Sequence, residues 1–165
     1  MDQNQAGTTR IKVNFAKPFP LFPLEGVVLL PHALLRLLLF EPRYLQMADD
    51  VLDASGQIAM AIFDGNEWRD DYYGAPELKP SVCIGQIAHH ERQDDGNLIV
   101  LLQGVCRARI AEELLPESDT LYRRAVLEPV EFNDTDEDEL FDLREHLLTR
   151  LTEAPLTELR SVRAI

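Results

Sequence analysis

The chain has 165 residues, of which 45% are hydrophobic, so it is long enough for one domain with a packed core and a helical appendage. Its 29 acidic and 16 basic residues give a net charge of −13. Because phosphate binding needs clustered Lys and Arg, this balance argues against a nucleic-acid partner.

The sequence predicts neither export nor a membrane span. The first ten residues, MDQNQAGTTR, are polar and lack the apolar segment of a secretion signal. The longest apolar stretch, residues 27–40, is interrupted by a proline, a histidine and an arginine. We therefore expect a cytoplasmic location, where Cys83 and Cys106, which form no CxxC pair, stay free thiols.

The first half of the chain predicts two strands, a helix and a third strand. Residues 21–30 and 33–40 are apolar runs on either side of a Pro-His bend. Pro42 suits the first turn of a helix, and Gly56 suits its C-terminal stop. Residues 58–63, IAMAIF, favour a strand buried on both faces. The helix is indicated by apolar residues at spacings of three and four, namely Tyr44, Leu45, Ala48, Val51 and Leu52.

A β-hairpin is predicted after a long polar loop. The loop covers residues 64–80, and the strand-like runs 82–90 and 98–103 follow it. The pair Asp95-Gly96 between the two runs is typical of a tight turn that needs positive φ.

Two further strands are expected beyond the hairpin. Residues 105–110 alternate in polarity, with Arg107 and Arg109 on one face, and residues 122–130 favour a last strand. Gly104 lies between two apolar runs, which predicts a bend or bulge. We expect Gly104→Val to destabilise the fold by about 1 to 3 kcal/mol.

The C-terminal part begins with an acidic segment, residues 131–142, which holds seven acidic side chains and no basic one. A solvated linker and helix start is the ordinary interpretation, and a docking site for a basic partner stays open. The helix is predicted to begin at Asp134 or Thr135 and to end or kink at Pro155, with a second helix from Thr157. One face of the first helix carries Leu140, Leu143, Leu147 and Leu151.

No side-chain pattern predicts a metal or cofactor site. His89 and His90 are adjacent on a strand, where neighbouring side chains point in opposite directions, so the two cannot easily share one metal ion. Asp64, Asp70 and Asp71 lack the spacing of a calcium loop. We expect no catalytic, metal-binding or cofactor-binding residue.

Four segments carry a family resemblance. They are FPLFPLEGVVLLPHALLRLLLFEPRY at 19–44, GQIA at 85–88, QGVCRARI at 103–110 and YRRAVLEPV at 122–130. In this order they resemble the Lon N-terminal domain, the substrate-binding domain of ATP-dependent Lon proteases, and above all its stand-alone bacterial version. The resemblance covers roughly residues 18–165, nearly the whole chain.

The resemblance implies a mainly β fold with α. The expected fold is a PUA-like pseudo-barrel of about six strands with one inserted helix, followed by a short C-terminal helical unit, and the predicted element order agrees. We expect a flexible tail over residues 1–14, the barrel domain over 15–132 and the helical unit over 133–165. The family's helical unit is longer, so this one is expected to be truncated.

The resemblance also implies a non-enzymatic module that binds protein substrates, meaning unfolded or exposed apolar polypeptide, in proteolysis or quality control. A separate protease or chaperone is an implied partner. The chain has no GxxxxGK[ST] loop for ATP and no evident Ser-Lys pair, so we expect neither ATPase nor peptidase activity. The alternative is an RNA-binding module, since PUA domains proper bind RNA, and RNA binding at low salt would discriminate the two.

The predicted polypeptide-binding residues are Trp68, Tyr72 and Tyr73 in the long loop, with Arg107 and Arg109 on a strand. Aromatic side chains give large contact areas at low entropic cost. Two alternatives stay open: the aromatic residues pack back onto the domain, and the arginines are solvated or pair with carboxylates. If Trp68 is a binding residue, Trp68→Ala should weaken binding by roughly 1 to 3 kcal/mol and leave stability almost unchanged.

Overall fold

The computed structural model describes residues 11–114, 117–130 and 137–152. The chain divides into two compact units, Met1–Val130 and Glu131–Ile165, and each is described by itself.

The first unit contains the strands and one α-helix. Among the described residues these are β1 (Phe19–Pro23), β2 (Leu34–Leu39), α1 (Pro42–Leu52), β3 (Gln57–Ala61), β4 (Ser81–Arg92), β5 (Leu98–Glu113) and β6 (Arg124–Pro129). A single 3-10 turn, Glu67–Arg69, interrupts the long loop between β3 and β4. The described part of the second unit is one helix, α2 (Glu137–Thr152).

The sheet closes on itself. Its strand order is β2-β5-β4-β3-β1-β6, and an additional β5–β6 pairing joins five of the strands into a ring. Only β1 and β3 pair in parallel, and the other pairings are antiparallel. β2 lies outside the ring and pairs with β5 alone. The predicted mainly β fold, with about six strands and one inserted helix, is confirmed.

Buried side chains form two clusters, one inside the barrel and one between the sheet and α1. Inside the barrel, Leu21, Ile84 and Ala108 are fully buried. α1 presents Tyr44, Met47, Ala48 and Val51 to the second cluster, which includes Ile58 and Leu102. The predicted burial of β3 on both faces is confirmed, since every residue of Gln57–Ala61 is buried.

The predicted strand over residues 21–30 is confirmed only at its start, where β1 covers Phe19–Pro23. β1 ends at Pro23, and Gly26 adopts φ +67°, which extended backbone does not allow. The segment then turns inward, so that Leu29 is 3% exposed and packs over the sheet. The second predicted strand is shorter than expected, because residue 33 hydrogen-bonds to Gly104 and β2 starts only at Leu34.

The predicted hairpin is confirmed, with Gly96 at φ +87° in its turn. The runs 98–103 and 105–110 belong to one continuous strand, β5, and not to two. The bulge expected at Gly104 is confirmed, because Ile84 pairs with Cys106 whereas Gly85 pairs with Gly104. The expected caps at Asp134 or Thr135 and the second helix from Thr157 lie outside the described residues.

Alkaline pH is expected to weaken the fold through Cys83, which is a buried free thiol as predicted. Burial, with the neighbouring Cys106 second, raises the pKa of Cys83 from 9.0 to about 11. The unfolded chain therefore loses this proton first as pH rises, and stability that is complete below pH 9 falls by roughly 2 kcal/mol by about pH 11.

The Cys83→Ala variant isolates this contribution from other groups that titrate in the same range. Urea unfolding near pH 8 should show the variant less stable than the natural chain, and the difference should narrow toward pH 11. A difference that does not change with pH contradicts the assignment.

Candidate functional site

The outer face of β2 is apolar and exposed. Side chains alternate along the strand, so Leu35, Leu37 and Leu39 turn toward the core while Leu34 and Leu38 remain 62% and 53% exposed. Directly opposite on β5, Leu38 pairs with half-buried Ile99 and Arg36 pairs with half-buried Leu101. We call this surface, formed by Leu34, Arg36, Leu38, Ile99 and Leu101, the β2 face.

Further exposed apolar side chains lie just before and after β2 in the sequence. Val28, Leu30 and Phe40 are 60%, 59% and 62% exposed, so five of the ten large apolar side chains exposed in the described residues lie within residues 28–40. Within the described part of the chain Arg36 has no ion-pair partner. Within the β2 face itself, Leu34 and Leu38 lie on one side of the strand beside Ile99 and Leu101, and exposed apolar side chains grouped in this way mark an interaction surface more often than scattered ones do.

The aromatic residues of the long loop pack on one another. Trp68 stacks on buried Phe63 with ring centroids 4.9 Å apart and an interplanar angle of 12°. Tyr72 meets the edge of Trp68 at 6.0 Å, and Tyr73 meets Tyr72 at 5.1 Å. Trp68 and Tyr72 are half-buried by these contacts, whereas Tyr73 is 83% exposed.

Arg43 holds this loop to the start of α1. Its guanidinium carbon lies 4.6 Å from the ring centroid of Tyr44 and 4.5 Å from that of Tyr72. Its Nε donates to Glu41 at 3.0 Å, and the Tyr72 hydroxyl donates to the other oxygen of Glu41 at 2.6 Å. Arg43 therefore pairs with a carboxylate at the start of the helix.

Tyr44 belongs to the core, as expected, and is 3% exposed. Its ring packs on Phe22 with centroids 4.4 Å apart. Burial raises the pKa of the Tyr44 hydroxyl, so the group stays protonated at any pH near neutrality. This buried hydroxyl has no hydrogen-bond partner among the described residues, so a polar donor is left unsatisfied there.

The five residues singled out in the sequence lie in two places. Trp68, Tyr72 and Tyr73 form the loop cluster described above. Arg107 and Arg109 are exposed on β5, opposite Cys83 and Ser81 in the strand register. The sequence reasoning missed the β2 face, because a run such as LLRLLL looks like a strand buried on both sides; the single Arg36 on its outer face was the available signal.

Trp68→Ala is expected to lower stability, because Trp68 stacks on a core residue. The half-buried ring gives up a stacked contact and part of its apolar burial, for which we expect about 1 to 2 kcal/mol. Thermal or urea unfolding measures this loss, with Tyr73→Ala as the exposed control from the same cluster. Equal stability of the natural chain and Trp68→Ala would show that the stack does not form in solution.

Residues 11–114, 117–130 and 137–152 lack two features, a metal-binding cluster and a membrane-spanning helix. They contain no group of three or more His, Cys, Asp or Glu side chains placed to hold a metal ion. They also contain no helix long and apolar enough to cross a membrane.

Comparison with known proteins defines the class. The family described as the ATP-dependent protease La (LON) substrate-binding domain matches residues 18–164, and the chain belongs to this family. The description of this family names a substrate-binding domain.

Individual relatives are distant. The chain is 26% identical over 90 residues to a Lon protease of Desulfosudis oleivorans, a match that covers 54% of the chain and 11% of that protein. A Lon N-terminal domain protein from Xanthomonas campestris has a similar structure, with TM-score 0.58, 23% identity, and coverage of 82% of this chain and 73% of that one. The N-terminal domain of Mycobacterium avium complex Lon protease gives TM-score 0.59 at 18% identity, covering 90% and 76%.

Proposed function

We propose that this domain binds polypeptides that expose apolar side chains, and that the β2 face is the main contact surface. The observation that carries the proposal is the exposure of Leu34 and Leu38 on a strand that has only one neighbour within the described sheet. An edge strand can accept an extended segment through its free backbone groups, while the outward leucines contact the segment's side chains.

The chemistry of this surface suits loosely defined sequences. Leucine side chains give contact area without directional demands, so many apolar segments can bind. Arg36 lies among the leucines and can pair with a carboxylate or donate a hydrogen bond to a backbone carbonyl. The domain binds its client without changing it, and we propose that a separate protease or chaperone acts on the client afterwards.

The loop residues Trp68, Tyr72 and Tyr73, together with Arg107 and Arg109, remain a second proposed contact region. Of these three aromatic side chains Tyr73 is the most exposed, so it offers the largest accessible area for contact with a client. The packing of Trp68 and Tyr72 favours a supporting role for those two side chains.

Fluorescence anisotropy tests the function. The labelled probe is reduced, carboxymethylated α-lactalbumin, which is permanently unfolded, and native α-lactalbumin is its matched control. We expect saturable binding of the unfolded form, little dependence on salt, and no binding of the native form. Single-stranded RNA at low salt tests the alternative: RNA binding that falls with salt, without binding of the unfolded protein, would replace our proposal by the nucleic-acid one.

A further inference from the structure

A cavity of about 640 Å³ lies beside the loop cluster. Its walls come from β1, the start of α1, residues 73–75, and residues 114, 117, 118 and 120–124. Apolar side chains, including Leu114 and Leu121, line one part of it, and Arg43, Arg123 and Arg124 line another. A volume of this size is in the range of small-ligand sites.

The cavity walls are held in place by specific contacts. The Gln46 side chain of α1 donates to the carbonyl of Asp119 at 2.7 Å and accepts from the amide of Leu121 at 2.8 Å. Arg123 donates to the carbonyl of Pro76 at 2.7 Å and to Glu113 at 2.6 Å. The site is therefore shaped by hydrogen bonds between distant segments, as a preorganised pocket requires.

Unsatisfied donors gather in this cavity. Within the described residues, three buried side-chain atoms lack a hydrogen bond: Arg43 Nη2, the Tyr44 hydroxyl oxygen and Arg124 Nη2. All three residues line the cavity. Both arginine atoms nevertheless face a carboxylate, because Arg43 Nη2 lies 3.0 Å from a Glu41 oxygen and Arg124 Nη2 forms an ion pair with Glu117. The Tyr44 hydroxyl has no such partner, and a buried donor without an acceptor is costly, so this hydroxyl points to a ligand that offers an acceptor beside the two arginines.

The charge of the site restricts which kinds of ligand can bind. The three arginines are matched by three carboxylates, Glu41, Glu113 and Glu117, so the site offers donors but no excess positive charge. The chain as a whole carries −13. A doubly charged phosphate is disfavoured in such surroundings, whereas a single carboxylate fits the planar geometry of a guanidinium.

We propose that this cavity holds the C-terminal carboxylate of a bound polypeptide, with the last side chain against Leu114 and Leu121. The proposal rests on the proposed function and names which part of the client is recognised. The carboxylate accepts hydrogen bonds from the Tyr44 hydroxyl and from Arg43 and Arg124. The exposed ring of Tyr73 forms the rim that the preceding residue of the client contacts.

Glu117 acts as an internal competitor. Its side chain is 65% exposed, and its carboxylate forms an ion pair with Arg124 in the free chain. The pair is exposed only at its Glu117 end, because Arg124 Nη2 is buried, so an incoming carboxylate that replaces Glu117 keeps the buried guanidinium paired. Removing the Glu117 charge should therefore strengthen binding of a C-terminal carboxylate.

The test compares two forms of one short fluorescent peptide of leucine, alanine and serine, one ending in a free carboxylate and one in an amide. We expect the acid to bind about tenfold more tightly than the amide. Tyr44→Phe should remove a large part of this preference without lowering the melting temperature, because the hydroxyl has no partner in the free chain. Glu117→Gln should increase the preference, and Glu25→Gln, which removes an exposed pair with Arg69 that does not line the cavity, should not change it.

The outcomes separate the two proposals. Equal affinity for acid and amide would overturn the carboxylate pocket and leave the proposed function standing. Absence of binding by either peptide and by unfolded α-lactalbumin would overturn both. Acetate that competes at the same concentration as the acid peptide would assign the cavity to a free small carboxylate and would also overturn the proposal.

Discussion

Gly104→Val is expected to destabilise the barrel by about 3 kcal/mol or more, at or above the upper end of the range of roughly 1 to 3 kcal/mol that the sequence alone predicts. A Cβ at this position would lie 2.0 Å from the carbonyl oxygen of Leu30, a backbone atom that cannot move aside like a flexible side chain. Two hydrogen bonds of 2.9 Å hold residues 32–33 against Gly104 at this point. The His32 amide donates to the Gly104 carbonyl, and the Gly104 amide donates to the Ala33 carbonyl. The substitution therefore forces apart the segment that leads into β2.

Gly26→Val is the matched control, because Gly26 has positive φ but open space around its missing side chain. Its cost comes from backbone strain alone, for which we expect roughly 1 to 2 kcal/mol. Urea unfolding of both variants measures the difference. If Gly104→Val is no less stable than Gly26→Val, the close approach of residues 30–33 to β5 is not present in solution.

Replacing Leu34 and Leu38 together by threonine is expected to weaken binding of unfolded polypeptide by about 3 kcal/mol, roughly a hundredfold. Both side chains are exposed in the free chain, so their apolar area becomes buried only when a client binds. Threonine keeps the preference for β structure, and the melting temperature should change little. Anisotropy with carboxymethylated α-lactalbumin measures the loss.

Phe141→Thr with Leu147→Thr on α2 is the control, because these side chains are 60% and 58% exposed and their loss removes a similar apolar area. We expect this pair to bind like the natural chain. A loss of equal size in both double variants would mean that binding follows total exposed apolar area and not the β2 face. Sedimentation velocity of the natural chain tests whether β2 pairs with a second copy instead.

The periodicity of apolar residues was enough to predict those elements that depend only on neighbouring residues in the sequence. The stripe of α1, the buried β3 and the Asp95-Gly96 hairpin depend on local spacing, and each is present. The closure of the barrel is different, because it depends on the pairing of β5 with β6 and on the bulge beside Gly104, which shift the register over long sequence separations.

The candidate surfaces were harder to predict for the same reason. Leu34 and Leu38 are exposed only because β2 lies outside the ring, which their own sequence does not indicate. The cavity gathers Arg43, Tyr73 and Arg124 from three distant segments, and no local motif marks it. Trp68 was singled out as an aromatic residue in a polar loop, but its stacking partner Phe63 lies just beyond the predicted loop, in the run assigned to a buried strand.

Amide hydrogen exchange of the domain with and without carboxymethylated α-lactalbumin tests the central claim most directly, because it locates the bound polypeptide without any substitution. If the client adds to the edge of β2, amides in Leu34–Leu39 should exchange more slowly in the complex, with smaller effects near residues 28–30 and 99–101. Protection confined to the loop 64–80 or to α2, with β2 unchanged, would contradict the assignment of the β2 face as the polypeptide-binding surface.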